Sequence, residues 1–293
     1  MNARQLTARL KGKWHDGKAF GLAACPAHDD ASPSLSIGTG DDGRTLVHCL
    51  AGCSQERVIA ALRGRKLWDG NSDVTLDPAE QEREKQKREA EEAKRSAAAL
   101  KIWRETEPAD GTLVETYLRF RGIKIPVPPT LRYLRGAKHG PTGLIFGAMV
   151  AAISGLDRRL SAVHRTYLNA HGSGKASVNS PKMALGPIGT GSVHLAAAGA
   201  ELGIAEGIET GLSAMQLFGI PVWCACGSWL ERVAVPAPVS TVIIFADNGM
   251  PGELAAEKAA KVHHDAGRVV DVRFPPAGDW NDALRTRGGE RAA

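Results

Sequence analysis

Four side chains near the start have the types and spacing to hold a metal ion: Cys25 and His28 in one short turn, and Cys49 and Cys53 in a second turn after a gap of 20 residues. Two ligand pairs on separate turns close a tetrahedron around Zn²⁺, and three thiolates with a neutral imidazole leave no open position for catalysis. The site reads as structural. His48 is the rival ligand, because three residues separate Cys49 from Cys53 where two are usual. A second set is acidic: Glu206 follows the apolar run Leu202–Ala205, Asp247 follows Val242–Ala246, and Asp279 and Asp282 follow Val269–Val272. In a parallel sheet, carboxylates at the carboxyl ends of strands converge on one crevice. Glu206, Asp247 and Asp279 could there hold Mg²⁺ or Mn²⁺, which shares its shell with substrate phosphates. A strand-end Asp is also a common helix N-cap, and for Asp279 and Asp282 both readings stand.

A third set is basic. The net charge of +5 hides +8 over residues 108–200, where 11 basic side chains face 3 acidic ones, and −4 over 201–293; residues 1–77 carry +1 and 78–107 carry none. Arg119, Arg121, Lys124, Arg132 and Arg135 precede Arg158, Arg159, Arg165, Lys175 and Lys182. A basic stretch beside an acidic one suits a polyanion held next to carboxylates that need a cation. Tyr167 and His164 read equally as base-stacking or core residues. Two glycine-rich segments fail on context. Gly38-Thr-Gly-Asp-Asp-Gly43 precedes a strand-like run and reads as a hairpin turn, and Gly172-Ser-Gly-Lys175 lacks the first Gly and the final Ser or Thr of a phosphate-binding loop.

These residues need elements to position them. At 293 residues, 43% hydrophobic and 24% charged, the chain suits two globular modules. Residues 1–70 are short strands and a helix from Ser54 to Leu62, with little core of their own. Residues 71–107 are a charged helical linker, with Glu84/Arg88 and Glu91/Arg95 at i, i+4 and Leu100, Ile102 and Trp103 docking its far end. Residues 108–200 contain a short helix at Leu113–Arg121 and strands at Gly143–Ser154, Leu160–Leu168 and Val193–Leu195. From 201 to 293, apolar strands at Leu202–Ala205, Val222–Ala225, Val242–Ala246 and Val269–Val272 alternate with helices at Glu209–Phe218, Gly252–Ala266 and Asn281–Arg287, the pattern of an α/β parallel sheet flanked by helices. Cys224 and Cys226 fall on one strand face and read as core. No run approaches about 20 apolar residues and no apolar signal region follows Met1, so the expectation is a cytoplasmic chain without membrane contact, in which five cysteines are poor disulfide candidates.

The segment Cys25-Pro-Ala-His-Asp-Asp-Ala-Ser-Pro-Ser-Leu-Ser-Ile37 with Val47-His-Cys-Leu-Ala-Gly-Cys53 resembles the CHC2-type zinc ribbon of bacterial DnaG-type and phage primases. Gly203-Ile-Ala-Glu-Gly-Ile-Glu-Thr-Gly-Leu-Ser213, Val242-Ile-Ile-Phe-Ala-Asp-Asn248 and Gly278-Asp-Trp-Asn-Asp282 resemble a Toprim domain, and residues 155–182 are loosely similar to the amino-terminal half of a primase core. The resemblance implies an α/β Toprim-type core with an N-terminal zinc ribbon joined by a charged helix. It implies Glu206 and Asp247 as catalytic metal ligands, and Arg158, Arg165, Lys175 and Lys182 as contacts to single-stranded DNA template and NTPs. Each such contact steepens the salt dependence of binding by about 0.7 in log–log slope. The implied function is primer synthesis for a phage, plasmid or integrative element, with a replicative helicase supplied in trans. Two alternatives remain: a catalytically degenerate DNA-binding replication accessory or regulator, and a Toprim nuclease. The second Asp of the Toprim Asp-x-Asp motif is Gly249 here, which removes one metal ligand; Asn248, Glu253 and Asp279 are the residues placed to compensate.

Overall fold

The computed structural model describes residues 1–16, 19–30, 32–40, 43–68, 78–227 and 229–290, in two units, Met1–Glu89 and Ala90–Ala293. The expected boundary at 70/71 lies outside the described residues, as do Ala31, Asp41 and Asp42 of the motifs above and the last three residues of the 201–293 segment.

In the first unit, α1 (Ala3–Arg9) begins at a capping box in which Asn2 and Gln5 exchange side-chain and backbone hydrogen bonds. Strands β1 (Lys13–His15), β2 (Phe20–Ala23), β3 (Leu35–Thr39) and β4 (Thr45–Cys49) form an antiparallel sheet in that order. Helix α2 (Gln55–Gly64) starts at Ser54, whose hydroxyl caps Arg57 N. A small core of Leu6, Leu35, Ile37, Val47, Val58 and Leu62 surrounds buried Cys25 and Cys49. Thr39 pairs with Thr45 across the hairpin, so the Gly38–Gly43 segment joins two antiparallel strands.

Helix α3 (Pro78–Arg104) runs through the charged segment and into the second unit. Ala99 is buried against Val150 and Val163, with Ile102 and Trp103 alongside, so its far end docks as its apolar residues imply. Arg95 donates to the Gly186 carbonyl; the Glu84 side chain lies outside those described.

The second unit has two sheets. Strands β5 (Glu107–Pro108), β6 (Leu131–Lys138), β7 (Ile145–Ser154), β8 (Leu160–Tyr167) and β9 (Lys182–Leu185) form an antiparallel sheet, preceded across its first connection by α4 (Leu113–Phe120). The second runs β10 (Val193–His194), β12 (Val222–Cys224), β11 (Glu201–Ala205), β13 (Thr241–Phe245) and β14 (Val269–Arg273). Pairings among β11, β12, β13 and β14 are parallel, but β10 is antiparallel to β12, so the sheet is mixed at that edge. Helices α5 (Ile208–Phe218) and α7 (Trp280–Glu290) share a core on one face, and α6 (Met250–Asp265) with a 3₁₀ turn at Leu230–Arg232 contributes to the core on the other. The first of these cores is continuous with the antiparallel sheet: Tyr117, Leu118, Met149 and Ile153 pack with Ile208, Leu212, Phe245, Trp280 and Leu284. No helix among the described residues is long and apolar enough to cross a membrane.

Three histidines are held neutral by this packing. Burial, with nearby cations adding to it and, at His164, Glu209 opposing it, pushes His164, His194 and His263 from the ordinary 6.5 to about 4. A lowered native value means that the unfolded chain takes up protons first, so stability is present above about pH 6.5 and is lost as pH falls toward 4. The urea midpoint is therefore lower at pH 5 than at pH 7, and this drop is smaller in His164→Gln whatever that variant's own stability.

Candidate functional site

The ribbon cluster is built by the ends of strands. Cys49 closes β4 and Cys25 lies just beyond β2, so pairing of both strands with β3 brings the two turns together. One donor atom from each of Cys25, His28, Cys49 and Cys53 lies within 4.8 Å of all the others. His28 Nδ1 is 3.2 Å from Cys53 Sγ and 3.9 Å from Cys49 Sγ, so Nδ1 is the inward nitrogen. Its Nε2 faces Asp30 at 3.4 Å. Asp30 also accepts from the Cys25 amide at 2.6 Å and the Ser34 hydroxyl at 2.7 Å, and these bonds, with the amide first, hold its carboxyl down to about 2. A carboxylate behind the imidazole fixes ring tautomer and orientation, which fits a four-coordinate metal centre. His48 does not belong to it: alternation along β4 buries Val47 and Cys49 and exposes His48 on the opposite face.

The second site lies in the second unit. Glu206 and Asp247 sit just past the carboxyl ends of β11 and β13, and line a 140 Å³ cleft with Arg121, Lys175, Lys182, Gly207, Glu209, Thr210 and Asp279. Trp280 brings Asp279 there. Its indole donates to the Ala246 carbonyl and packs on Phe245 and Phe218, seating the start of α7 beside the end of β13. Asp279 takes the expected cap, with Oδ1 accepting from the Asp282 amide at 2.8 Å, while Oδ2 is 3.8 Å from Arg121.

Burial first, then the neighbouring carboxylate, raises Glu206 (toward Asp247) and Asp247 (toward Asp279); Lys182 offsets part of each shift. Asp247 Oδ1 is buried without a hydrogen-bond partner among the described residues. An orphaned carboxylate oxygen among like charges fits a divalent cation better than it fits an empty cleft.

Gly249 has φ 100° and ψ 160°, a region essentially reserved for glycine, so the backbone here does not present an Asp. Asn248 donates its amide to the Pro275 and Gly278 carbonyls, and Glu253 lies on α6 outside the cleft lining. Of the three residues placed to compensate, only Asp279 lines the cleft.

The cleft also holds a group that spacing alone did not single out. Glu209, in the first turn of α5, is 5% exposed. Its Oε1 is 3.3 Å from Lys175 Nζ and accepts from the Tyr117 hydroxyl at 2.7 Å, while Oε2 is 3.4 Å from Lys182 Nζ. Burial opposes its charge, but Lys182, Lys175 and Tyr117 outweigh it and hold the carboxyl well below the usual range. At Lys182 the attraction of Glu209 also outweighs burial and the value rises; at Lys175 burial wins and it falls. Lys175 arrives on the Gly172–Lys175 loop, where the Asn169 side chain accepts from the His171 and Ser173 amides. The available signal was an acidic residue three positions after Glu206, indistinguishable from any first-turn helix acid.

Arg158 and Arg165 are not in this cleft. Arg158 is exposed in the β7–β8 turn. Arg165 alternates on β8 with His164 and Thr166, and its guanidinium lies 5.8 Å from the Tyr167 ring. Tyr167 and His164 are core residues, 0% and 7% exposed. Cys224 is buried on β12, whereas Cys226 lies beyond the strand at φ 55°, its amide bonded to the Glu206 carbonyl.

Residues 201–290 match the Toprim domain family, and residues 93–195 match a Domain of unknown function (DUF7146). No curated protein matches the chain. Among solved structures it is similar to the primase fragment of the bacteriophage T7 primase-helicase protein, at 16% identity over 92% of this chain and 97% of that one, TM-score 0.41. The Aquifex aeolicus primase, zinc-binding and RNA polymerase domains, is similar at 14% identity over 100% and 81%, TM-score 0.46. The RNA polymerase domain of Mycobacterium tuberculosis primase DnaG is similar at 15% over 69% and 80%, TM-score 0.44. Residues 201–290 thus match a Toprim domain, and four Cys/His side chains near the start are placed to hold a metal ion.

Two outcomes follow from the geometry. The Asp30→Ala protein binds its metal about 10–100-fold more weakly, measured by competition with a chromophoric chelator. Gly249→Asp lowers the unfolding free energy by about 1–3 kcal/mol and leaves divalent-ion affinity no higher than wild type, measured by calorimetry.

Proposed function

We propose that this chain is a primase-like nucleotidyl transferase that makes short RNA primers on single-stranded DNA, for a phage, plasmid or integrative element, with a helicase acting in trans. The observation that carries the reading is the meeting, in one cleft, of Glu206, Asp247 and Asp279 with Arg121, Lys175 and Lys182 from the basic half. Carboxylates for a cation and cations for a triphosphate are what phosphoryl transfer needs, since its catalysis is mostly positioning and charge stabilisation. Glu206 and Asp247, with Asp279, are the residues to hold Mg²⁺ or Mn²⁺, which when bound stabilises charge at the α-phosphate and the departing pyrophosphate. Lys175, Lys182 and Arg121 bind phosphate oxygens. Glu209 positions both lysine ammonium groups from behind, so they meet a triphosphate already in place rather than as free surface chains. In the ribbon, Cys25, His28, Cys49 and Cys53 hold Zn²⁺ in a closed tetrahedral shell, a structural role that orders the template-binding module.

Gly249 favours a second reading, in which the chain binds template but has lost polymerase activity. One assay separates them: single-stranded template, NTPs and Mg²⁺ or Mn²⁺, with wild type beside Glu206→Gln. Short RNA products that fall at least about 100-fold in the variant support primer synthesis. Template binding without products supports the second reading, and cut template indicates a nuclease. If priming holds, Glu209→Gln raises the KM for NTP more than it lowers kcat, because its target is the placement of Lys175 and Lys182.

A further inference from the structure

A second cavity lies at the other end of the mixed sheet. It measures 230 Å³ and is lined by Leu156 and Arg158 from the β7–β8 turn, His194 of β10, Trp223 of β12, and Pro236, Pro238 and Val239 ahead of β13, with Ala198 and Gly199 ahead of β11. The acidic cleft is at the carboxyl ends of β11 and β13, and this cavity is at their amino ends. Five-residue strands at about 3.3 Å per residue separate the two by about 16 Å, and they share no lining residue.

The chemistry of the wall is specific. His194 stacks on Trp223 with ring centroids 3.6 Å apart and planes 15° apart. The Trp223 indole nitrogen is already used, donating to the Ala196 carbonyl. The His194 ring nitrogens bond no described residue, and burial, then Arg158, keeps the ring neutral, with a value near 4. A neutral imidazole offers one donor and one acceptor. Pro236, Pro238 and Val239 supply apolar lining to the same cavity. At the mouth, Arg158 is held in the left-handed region at φ 58°, uncommon for a residue other than glycine. Neighbouring Asp157 is engaged by Arg159, and no described residue pairs with the Arg158 side chain.

We infer that this cavity binds a single nucleotide unit, its base face against the proline wall, its edge on the His194 ring nitrogens and its phosphate on Arg158. A flat ring with donors and acceptors on its edge uses both the apolar wall and the imidazole nitrogens, which the stack on Trp223 holds in place, and the guanidinium suits a phosphate. An aliphatic ligand leaves Arg158 and His194 idle, and a bare phosphate leaves the wall idle. At 230 Å³ the space falls below the range of about 300–1,000 Å³ that encloses a drug-sized ligand, so it takes one ring system with the phosphate outside. The site is independent of whether the acidic cleft polymerises.

The test omits NTPs and divalent ions, so it does not depend on priming. Full-length protein with ¹⁵N-labelled histidine is titrated with AMP and, separately, with a short oligothymidylate, and the His194 ring signals are followed. Movement with AMP assigns a free-nucleotide site; movement with the oligonucleotide alone assigns a position on the strand's path. In either case Arg158→Ala, on an exposed turn, weakens binding about tenfold, and His194→Phe, which keeps the stack on Trp223, weakens it by a similar factor. Ring signals that stay fixed to millimolar concentrations of both ligands, or an Arg158→Ala affinity within about twofold of wild type, overturn the proposal.

Discussion

Glu209 is a carboxylate in a place where a bare charge does not survive. Leaving it unpaired in the core costs several kcal/mol, and what makes it tolerable is two ammonium groups and a hydroxyl delivered from outside its own α/β half: Lys175 from a loop, Lys182 from β9, and the Tyr117 hydroxyl from α4. The bond works in both directions. The lysines neutralise the start of α5, and Glu209 holds them in the cleft that Glu206 and Asp247 line. The placement of the second sheet against the first is thereby tied to the charge pattern of the site, and a basic sheet and an acidic sheet have a reason to share one core.

Within the cleft, positions are fixed by backbone events rather than by the carboxylates themselves. Asp247 lies at the foot of a turn so tight that a Cβ on Gly252 would clash with the Asp247 carbonyl. Gly249 lies in the same turn, which gives a physical meaning to the shortened Asp-x-Asp motif: the loop has taken a path that only glycine follows. Asn281 secures the other side, donating to the Arg121 carbonyl and to the Ser213 hydroxyl. Asp279 and Arg121 therefore enter the cleft as a pair.

Much of this was legible in the residues, where local pattern and tertiary environment agree. The runs at Leu202–Ala205 and Val242–Ala246 are buried on both faces and so read as strands, and carboxylates after such strands must open onto a crevice. The clustering of Cys25, His28, Cys49 and Cys53 was legible because metal chemistry demands that spacing. Strand β6 was not, because a bulge between Leu134 and Ala137 breaks its alternation among arginines. Asp30 and Glu209 were not, because a carboxylate beside a ligand or in a first helical turn looks like any other until its partners are placed. Arg158 and Arg165 read as part of the basic groove by composition; a turn sends one to another cavity, and the two-residue strand period sends the other to the far side of its sheet.

The continuous core of the second unit has a consequence for how the chain is made. Residues 113–153 supply Val114, Tyr117, Leu118 and Met149, whose partners Ile208, Leu212, Trp280 and Leu284 lie as much as 170 positions later. Emerging from the ribosome amino end first, the antiparallel sheet waits with an uncovered apolar face until nearly the whole remainder has been translated. The ribbon needs nothing beyond its own residues and a metal ion to close. Synthesis thus completes the amino-terminal unit early and leaves that apolar face exposed for most of the remaining elongation.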